Sequence, residues 1–166
     1  MAEIKHRRFL REKEATQLLN EFTQKLKITV SELFTSQKPN VEVSEAQDIR
    51  IYFVNGQPSL VQRQDMVFPT LRFERALRVL PKVTVNMGAV SHICNGADVL
   101  APGIVKTEGV FKTGDYVVIV DERFQKPLAV AMALMDSEVA RGLQRGKVAT
   151  NVHYVGDVVW NLIKVL

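Results

Sequence analysis

Residues 83–105 read VTVNMGAVSHICNGADVLAPGIV, and this stretch decides the fold of the C-terminal half of the chain. The β-branched run Val83–Val85 predicts a short strand, and Gly88–Cys94 fits a single helical stretch. Asn95-Gly96 tolerates the left-handed backbone conformation in which helices commonly end. Val99–Val105 then predicts a second strand region. A strand, a short helix and a further strand therefore follow one another within these residues.

The residues that follow continue as short strands and turns. Pro102-Gly103 suits the central positions of a type II turn and interrupts the second strand region. A short helix is predicted from Ser137, as its N-cap, through Gln144, with Gly146 as its C-terminal stop. Further strands are predicted at Tyr116–Val120, Leu128–Met135, Val148–Tyr154 and Val158–Ile163. The spacing of these strands and of the two short helices does not fit parallel βαβ units, so the pattern favours a small barrel-like sheet over a parallel doubly wound one.

The N-terminal half has a different pattern. Apolar residues recur at spacings of three and four from Arg11 to Phe34, which predicts one long helix, followed by a loop to Asp48. Ile49–Phe53 and Ser59–Gln62 flank Asn55-Gly56, which predicts a β-hairpin. Pro58 removes one backbone donor from the second of these strands, which indicates an edge strand.

A second helix is predicted over Leu71–Leu80, because Phe73, Leu77 and Leu80 share one face. Pro81-Lys82 then marks a boundary, after which strands replace long helices. The sequence thus predicts an α+β fold with two domains, residues 1–82 and 83–166.

Composition limits the classes of protein to consider. The chain has 166 residues, of which 46% are apolar and 24% charged, as in an ordinary globular protein. Its longest apolar run, Leu128–Met135, is far too short for a membrane helix, which takes about 20 residues. The charged N-terminus is unlike a secretory signal, and the single cysteine, Cys94, cannot form an intrachain disulfide. A cytoplasmic location without membrane association is therefore expected.

Charge is concentrated in the N-terminal half. Residues 1–82 contain 14 Lys and Arg against 10 Asp and Glu, whereas residues 83–166 contain 8 of each, so the first half carries the whole net charge of +4. This imbalance favours an acidic partner such as nucleic acid, although a soluble basic domain without such a partner is the alternative.

Motifs for the common enzyme chemistries are absent from the sequence. No GxxxxGK[ST] loop, GxGxxG turn, HExxH or paired CxxC is present, which argues against nucleotide-dependent and zinc-dependent catalysis. His6, His92 and His153 are scattered along the chain, and Cys94 lies in an apolar stretch that suits a buried thiol. The sequence therefore predicts no catalytic residue, no cofactor and no metal site.

Clustered cations are the remaining candidates for function. Arg72, Arg75 and Arg78 share one face of the predicted helix, where they either contact phosphates or form an ordinary solvated face. Five more cations are expected beside the glycine-rich segments of the C-terminal half: Lys106, Lys112, Arg141, Arg145 and Lys147. They line one groove if the elements that carry them lie side by side; otherwise they serve solubility.

Three ordered motifs resemble the core signature of the PUA domain, an RNA-binding module found in pseudouridine synthases and archaeosine transglycosylases. They are residues 85–89 (VNMGA), 95–99 (NGADV) and 101–104 (APGI), and the tail from Gly146 to Trp160 is similar to the closing strands of that domain. The hairpin at residues 54–56 and the sequence FPTLR at residues 68–72 resemble the pre-PUA domain. These two domains together are typical of the family that contains eukaryotic malignant-T-cell-amplified protein and its archaeal relatives.

This resemblance implies a small mixed pre-PUA domain followed by a PUA pseudo-β-barrel that binds RNA without catalysis. In PUA domains RNA lies against the first helix with its Gly-Ala start, the next strand and the second helix. The implied contact residues here are Asn86, Gly88, Ala89, His92, Lys106, Arg141, Arg145 and Lys147, with Arg72 and Arg75 extending the footprint. The family commonly has aspartate where this chain has Asn86, so an N-cap is expected there without an ionic role.

Three functions follow as hypotheses. The first is a translation or ribosome accessory factor that binds tRNA or rRNA, because eukaryotic members of the family act on the small ribosomal subunit with a density-regulated partner protein. The second is a protein-interaction module that docks a partner through the N-terminal half. The third is an RNA-modification enzyme, which is disfavoured because the sequence leaves no room for a catalytic domain, whereas an accessory subunit of an RNA-modification system remains an alternative.

Overall fold

The computed structural model describes residues 3–36 and 38–166. The chain forms two compact units, one ending at Ala76 and the other spanning Leu77–Leu166. Both contain helices and strands, so the predicted α+β class is confirmed. The domain boundary after residue 82 stays a prediction. Within the described residues, no helix is long and apolar enough to cross a membrane.

The first unit contains a five-stranded antiparallel sheet in sequential order. Its strands are β1 (Arg8–Phe9), β2 (Val41–Ala46), β3 (Ile49–Val54), β4 (Gln57–Arg63) and β5 (Met66–Pro69). The predicted hairpin is confirmed as β3 and β4, with Asn55 and Gly56 at positive φ in the turn.

Two expectations about this sheet are wrong. Strand β2 occupies residues expected to form a loop; Val41 and Val43 are buried in the core, and Glu42 between them is less buried. Strand β4 is an interior strand, not an edge, because β5 pairs with its other side. The sheet accommodates Pro58 at a register shift opposite Phe53, where the ladder is already irregular.

The predicted long helix is two helices, α1 (Glu12–Lys25) and α2 (Val30–Phe34). Lys27 between them has φ +60°, which no right-handed helix allows. Thr29 starts α2 with a capping box: its side chain accepts from the backbone N–H of Glu32, and the Glu32 carboxylate accepts from the N–H of Thr29. The cap therefore separates the two helices at the β-branched run Ile28–Val30.

One core cluster of this unit packs the helices against the sheet. Leu19 and Phe22 of α1 pack with Val43 and Leu60 of the sheet. The third helix, α3 (Glu74–Val79), is shorter than predicted, and the Phe73 ring just before it stacks on Phe34 with centroids 5.3 Å apart. The expected apolar face is confirmed, because Phe73, Leu77 and Leu80 are all buried.

The second unit is built on a six-stranded sheet in the order β7-β11-β10-β9-β6-β8. The strands are β6 (Lys82–Val85), β7 (Val99–Leu100), β8 (Ile104–Glu108), β9 (Tyr116–Asp121), β10 (Pro127–Ala133) and β11 (Lys147–Tyr154). Strands β6 and β9 pair in parallel and the other pairs are antiparallel. The helices are α4 (Met87–Ile93), α5 (Ser137–Gly142) and α6 (Val158–Val165).

Three local predictions in this unit are corrected. Residues 158–165 form a helix rather than a strand, because the Asp157 carboxylate caps it by accepting the backbone N–H of Trp160. Asp136 precedes α5 as its N-cap, in place of Ser137, and α5 ends at Gly142 rather than Gln144. Ala101–Gly103 form one turn of 3-10 helix where a type II turn was expected.

Candidate nucleic-acid interface

The junction between β6 and α4 is fixed by Asn86. Its Oδ1 accepts the backbone N–H of Ala89 at 3.0 Å, and its own N–H donates to the carbonyl of Gly103 at 2.9 Å. A Cβ on Gly103 would lie 3.2 Å from the Ala89 Cβ, tighter than ordinary contact. The helix start and the 101–103 turn therefore approach each other closely, and the expected N-cap role of Asn86 is confirmed.

An open cleft of about 420 Å³ runs along α4, and we call it the α4 cleft. Of the predicted contact residues, it brings together Asn86, Gly88, Ala89 and His92. Its other walls are mainly apolar, and they include Leu100, which is half exposed, and Pro102. The cleft suits a flat, largely apolar group with a few polar edges, such as a nucleobase.

One acid, Asp98, lies in the wall of the α4 cleft. Its Oδ1 accepts the backbone N–H of Asn151 at 2.9 Å, and its Oδ2 lies 3.1 Å from Nζ of Lys147. The hydrogen bond from Asn151 is the main cause that lowers the pKa of Asp98; partial burial opposes it and Lys147 adds to it. Asp98 is therefore ionised at neutral pH and forms an ion pair with Lys147.

A second cleft of about 320 Å³ lies between β8 and α5, and we call it the α5 cleft. Lys106 and Arg141 both line it. Arg141 is fixed by donating Nε to Thr107 Oγ1 at 3.1 Å and Nη2 to the carbonyl of Gly109 at 3.2 Å. Lys106 makes an exposed ion pair with Glu108 at 3.3 Å. Exposed pairs of this kind are weak, so Lys106 can exchange Glu108 for a phosphate.

The segment 99–105 separates the two clefts. Leu100, Pro102 and Gly103 line the α4 cleft, whereas Ile104 and Val105 line the α5 cleft. A mainly apolar cleft and a cleft with two cations therefore lie on either side of one short piece of chain, an arrangement that suits contact with both bases and phosphates.

The remaining predicted cations have different surroundings. Lys147 pairs with Leu100 in the sheet and so lies beside the α4 cleft. Arg145 is exposed after α5 and has no ion-pair partner among the described residues. Lys112 lines neither cleft, because it pairs with Asp136 at the start of α5. Arg72 and Arg75 are exposed in the first unit.

Two of the side chains considered for catalysis, His153 and Cys94, are in structural positions. His153 is fully buried, with Nδ1 2.9 Å from Asp157 Oδ2. Cys94 is half buried, and burial raises the pKa of its thiol, which disfavours a reactive thiolate. The described part of the chain contains no group of three or more His, Cys, Asp or Glu that could hold a metal ion.

The sequence reasoning did not single out Phe124, which lies in the turn between β9 and β10 (residues 122–126), which we call the β9–β10 turn. Phe124 in this turn is 64% exposed. The turn is joined to the β6–α4 junction, because the N–H of Glu122 donates to the carbonyl of Val85 and its Oε1 accepts the N–H of Met87. An aromatic residue inside the charged sequence DERFQK, residues 121–126, was the available signal.

Two family models match this chain. The model described as the PUA domain matches residues 81–155, and a domain of unknown function, DUF1947, matches residues 6–74. Among solved structures, the hypothetical protein PH0734.1 of Pyrococcus horikoshii superposes with a TM-score of 0.80 at 34% identity. That alignment covers 95% of this chain and 99% of the other.

Relatives in archaea and eukaryotes align with both halves of the chain. The uncharacterised protein MJ1432 of Methanocaldococcus jannaschii is 38% identical over 96% of this chain and 98% of its own length. Translation machinery-associated protein 20 of Saccharomyces cerevisiae is 26% identical, covering 82% and 80%. Malignant T-cell-amplified sequence 1 of Rattus norvegicus is 29% identical, covering 69% and 65%. The predicted resemblance is confirmed: the chain belongs to the family of archaeal and malignant-T-cell-amplified-type proteins in which a DUF1947 domain precedes a PUA domain.

Proposed function

We propose that this protein is a non-catalytic, cytoplasmic RNA-binding factor of the translation machinery. It binds structured RNA, tRNA or rRNA, through the α4 and α5 clefts of its PUA domain. The observation that carries the proposal is the pair of clefts on either side of residues 99–105, one mainly apolar and one lined by Lys106 and Arg141.

Each cleft has a separate role in this proposal. The α5 cleft binds phosphates, because Arg141 is held in place by Thr107 and Gly109 and keeps further N–H groups for an anion. The α4 cleft binds a base or sugar edge, with Asn86 and His92 as its polar contacts. Arg145 and Lys147 contact further phosphates of the RNA backbone outside the two clefts.

The translation part of the proposal rests on family membership. The relative from Saccharomyces cerevisiae is named for its association with the translation machinery. We extend this association to the present chain, with the small ribosomal subunit as the site of action and a density-regulated-like protein as the partner. The exposed Arg72 and Arg75 contribute a second RNA contact.

Binding of purified protein to tRNA and to small-subunit rRNA fragments tests this function. Affinity should fall steeply between about 50 and 200 mM salt, because phosphate contacts release counterions. The variant Lys106→Ala/Arg145→Ala should bind at least about tenfold more weakly, with a salt slope shallower by about 1 to 2. The control Lys13→Ala/Lys164→Ala removes two exposed cations that line neither cleft and should bind normally. Equal binding by the two double variants would remove the clefts from the proposal.

A further inference from the structure

The β9–β10 turn holds Phe124 outward in a fixed conformation. Asp121 is 3% exposed, and its carboxylate accepts the backbone N–H groups of Arg123, Phe124 and Lys126. These bonds, led by that from Phe124, hold the pKa of Asp121 below its usual range, so the carboxylate is ionised at neutral pH. The turn is therefore closed around a buried charge.

Gln125 completes the turn from the other side. It adopts φ +55°, its backbone N–H donates to the carbonyl of Asp121 at 3.1 Å, and its Nε2 donates to the same carbonyl at 3.1 Å. A turn held by this many bonds presents its apex with little conformational entropy left to lose on binding. Yet the apex residue, Phe124, is 64% exposed, whereas Phe111 in the same unit is buried.

The charges around the ring favour an anionic ligand. The Arg123 guanidinium lies 5.9 Å from the Phe124 ring centroid, and Lys126 is exposed at the end of the turn. Neither cation has an ion-pair partner among the described residues. The two acids are engaged: Asp121 by the backbone of the turn, and Glu122 by the N–H of Met87. The chain thus presents an aromatic face between two available cations.

The turn is continuous with the α4 cleft. Glu122 bonds to Val85 and Met87, which flank Asn86, and Asn86 begins the wall of that cleft. We infer that Phe124 is a stacking platform for an unpaired base of an RNA strand in the α4 cleft, with Arg123 and Lys126 contacting the adjoining phosphates. This inference rests on the proposed function and adds a contact to the same footprint.

Anisotropy measurements on two labelled RNA hairpins test the inference. One hairpin carries a short unpaired extension and the other is blunt. Phe124→Ala should weaken binding of the extended hairpin about tenfold, within the range measured for base–aromatic stacking, and leave the blunt hairpin unchanged. Phe124→Trp should keep the affinity and Phe124→Leu should lose it, because stacking needs a ring. Phe9→Ala, which removes a ring of similar exposure in the first unit, is the matched control.

Two further readouts separate stacking from charge. The salt slope of Phe124→Ala should equal that of the wild type, because no phosphate contact is removed. RNA should quench the added tryptophan emission of Phe124→Trp relative to the wild type, whose only tryptophan is Trp160.

Distinct results would overturn the inference. Wild-type affinity of Phe124→Ala or Phe124→Leu for the extended hairpin would exclude a stacked base, as would equal losses for both hairpins. The Phe124→Ala variant could instead bind RNA normally and lose a protein partner that the wild type retains after nuclease treatment. That result would show that the turn contacts a protein rather than RNA. If the wild type binds neither hairpin, the proposed function itself fails, whatever Phe124 does.

Discussion

Asp98 Oδ2 lies 3.1 Å from Lys147 Nζ at the side of the α4 cleft, so a lysine predicted to contact phosphate already forms an ion pair with an acid that lines the cleft. The Lys147 side chain is nevertheless 62% exposed, so the pair is open to solvent and to competing anions. RNA that uses Lys147 must compete with Asp98 for it. If Lys147 binds phosphate as we propose, the pair with Asp98 weakens that binding.

Asp98→Asn should strengthen RNA binding about two- to fivefold. The amide oxygen still accepts the N–H of Asn151, while the exposed ion pair, worth up to about 1 kcal/mol, no longer holds Lys147. Anisotropy titrations of tRNA at low salt measure the effect, and Asp65→Asn, in an exposed turn of the first unit, is the control. Weaker binding by Asp98→Asn would mean that the carboxylate itself serves the RNA.

Lys147→Ala should lose more affinity in the Asp98→Asn background than in the wild type. In the wild type the Asp98 carboxylate partly neutralises Lys147, whereas the uncharged amide of the Asp98→Asn variant leaves the lysine free for phosphate. A double-mutant cycle with the same titrations gives this coupling directly. Additive losses would show that Asp98 has no influence on the availability of Lys147.

The substitution Asn86→Asp should preserve the fold but weaken RNA binding. Asn86→Asp keeps an oxygen to cap α4, so thermal stability should be retained, but it adds a negative charge to the cleft and should weaken RNA binding. Asn86→Ala should cost about 1 kcal/mol of stability by removing the cap. Thermal unfolding and RNA titration of both variants separate the two roles. Unchanged stability of Asn86→Ala would argue against the cap.

Asp157 should make the second unit sensitive to acid. Burial raises the pKa of Asp157, but hydrogen bonds from His153 and from the N–H groups of Trp160 and Tyr154 outweigh it, so the pKa in the folded protein is lowered. The resulting stabilisation is complete above the unfolded pKa of about 3.9 and is lost as the pH falls through the lower folded value.

Urea unfolding of wild type and Asp157→Asn, followed by the fluorescence of Trp160 in α6, measures this contribution. Asp157→Asn should be less stable at pH 7, and the difference should shrink towards pH 3. Asp157→Ala should lose about 2 to 4 kcal/mol, because it removes both the α6 cap and the partner of His153 Nδ1. A difference that does not vary with pH would contradict the ionic part of this account.

Elements with a clear local pattern were predictable from the sequence. The Asn55-Gly56 hairpin, the 83–105 region and the apolar face of Phe73, Leu77 and Leu80 all depend on local periodicity and turn chemistry. The α6 helix was not predictable in this way, because Val158 and Val159 favour a strand, and the cap from Asp157 outweighs that preference. Strand β2 was missed although Val41 and Val43 alternate with Glu42, because this pattern is short and the pairing with β1 and β3 on either side fixes the strand.

The sequence predicted which residues form the candidate site, but it did not predict the contacts between residues that are distant along the chain. Asn86, Gly88, Ala89 and His92 were expected together and share one cleft, because they are neighbours along one short helix. The pairing of Lys147 with Asp98, 49 residues apart, depends on the β7–β11 pairing and left no local signal. The exposure of Phe124 likewise depends on the buried Asp121, whose three backbone contacts only the folded turn shows.

The most direct test of the central claim is crosslinking of RNA to this protein in its own cells, with the attached RNA sequenced and the crosslinked residues mapped. We expect tRNA or small-subunit rRNA, attached within residues 88–106 and 141–147. Recovery of a stable protein partner with no specific RNA would contradict the account, and would show that the PUA fold in this chain serves another purpose.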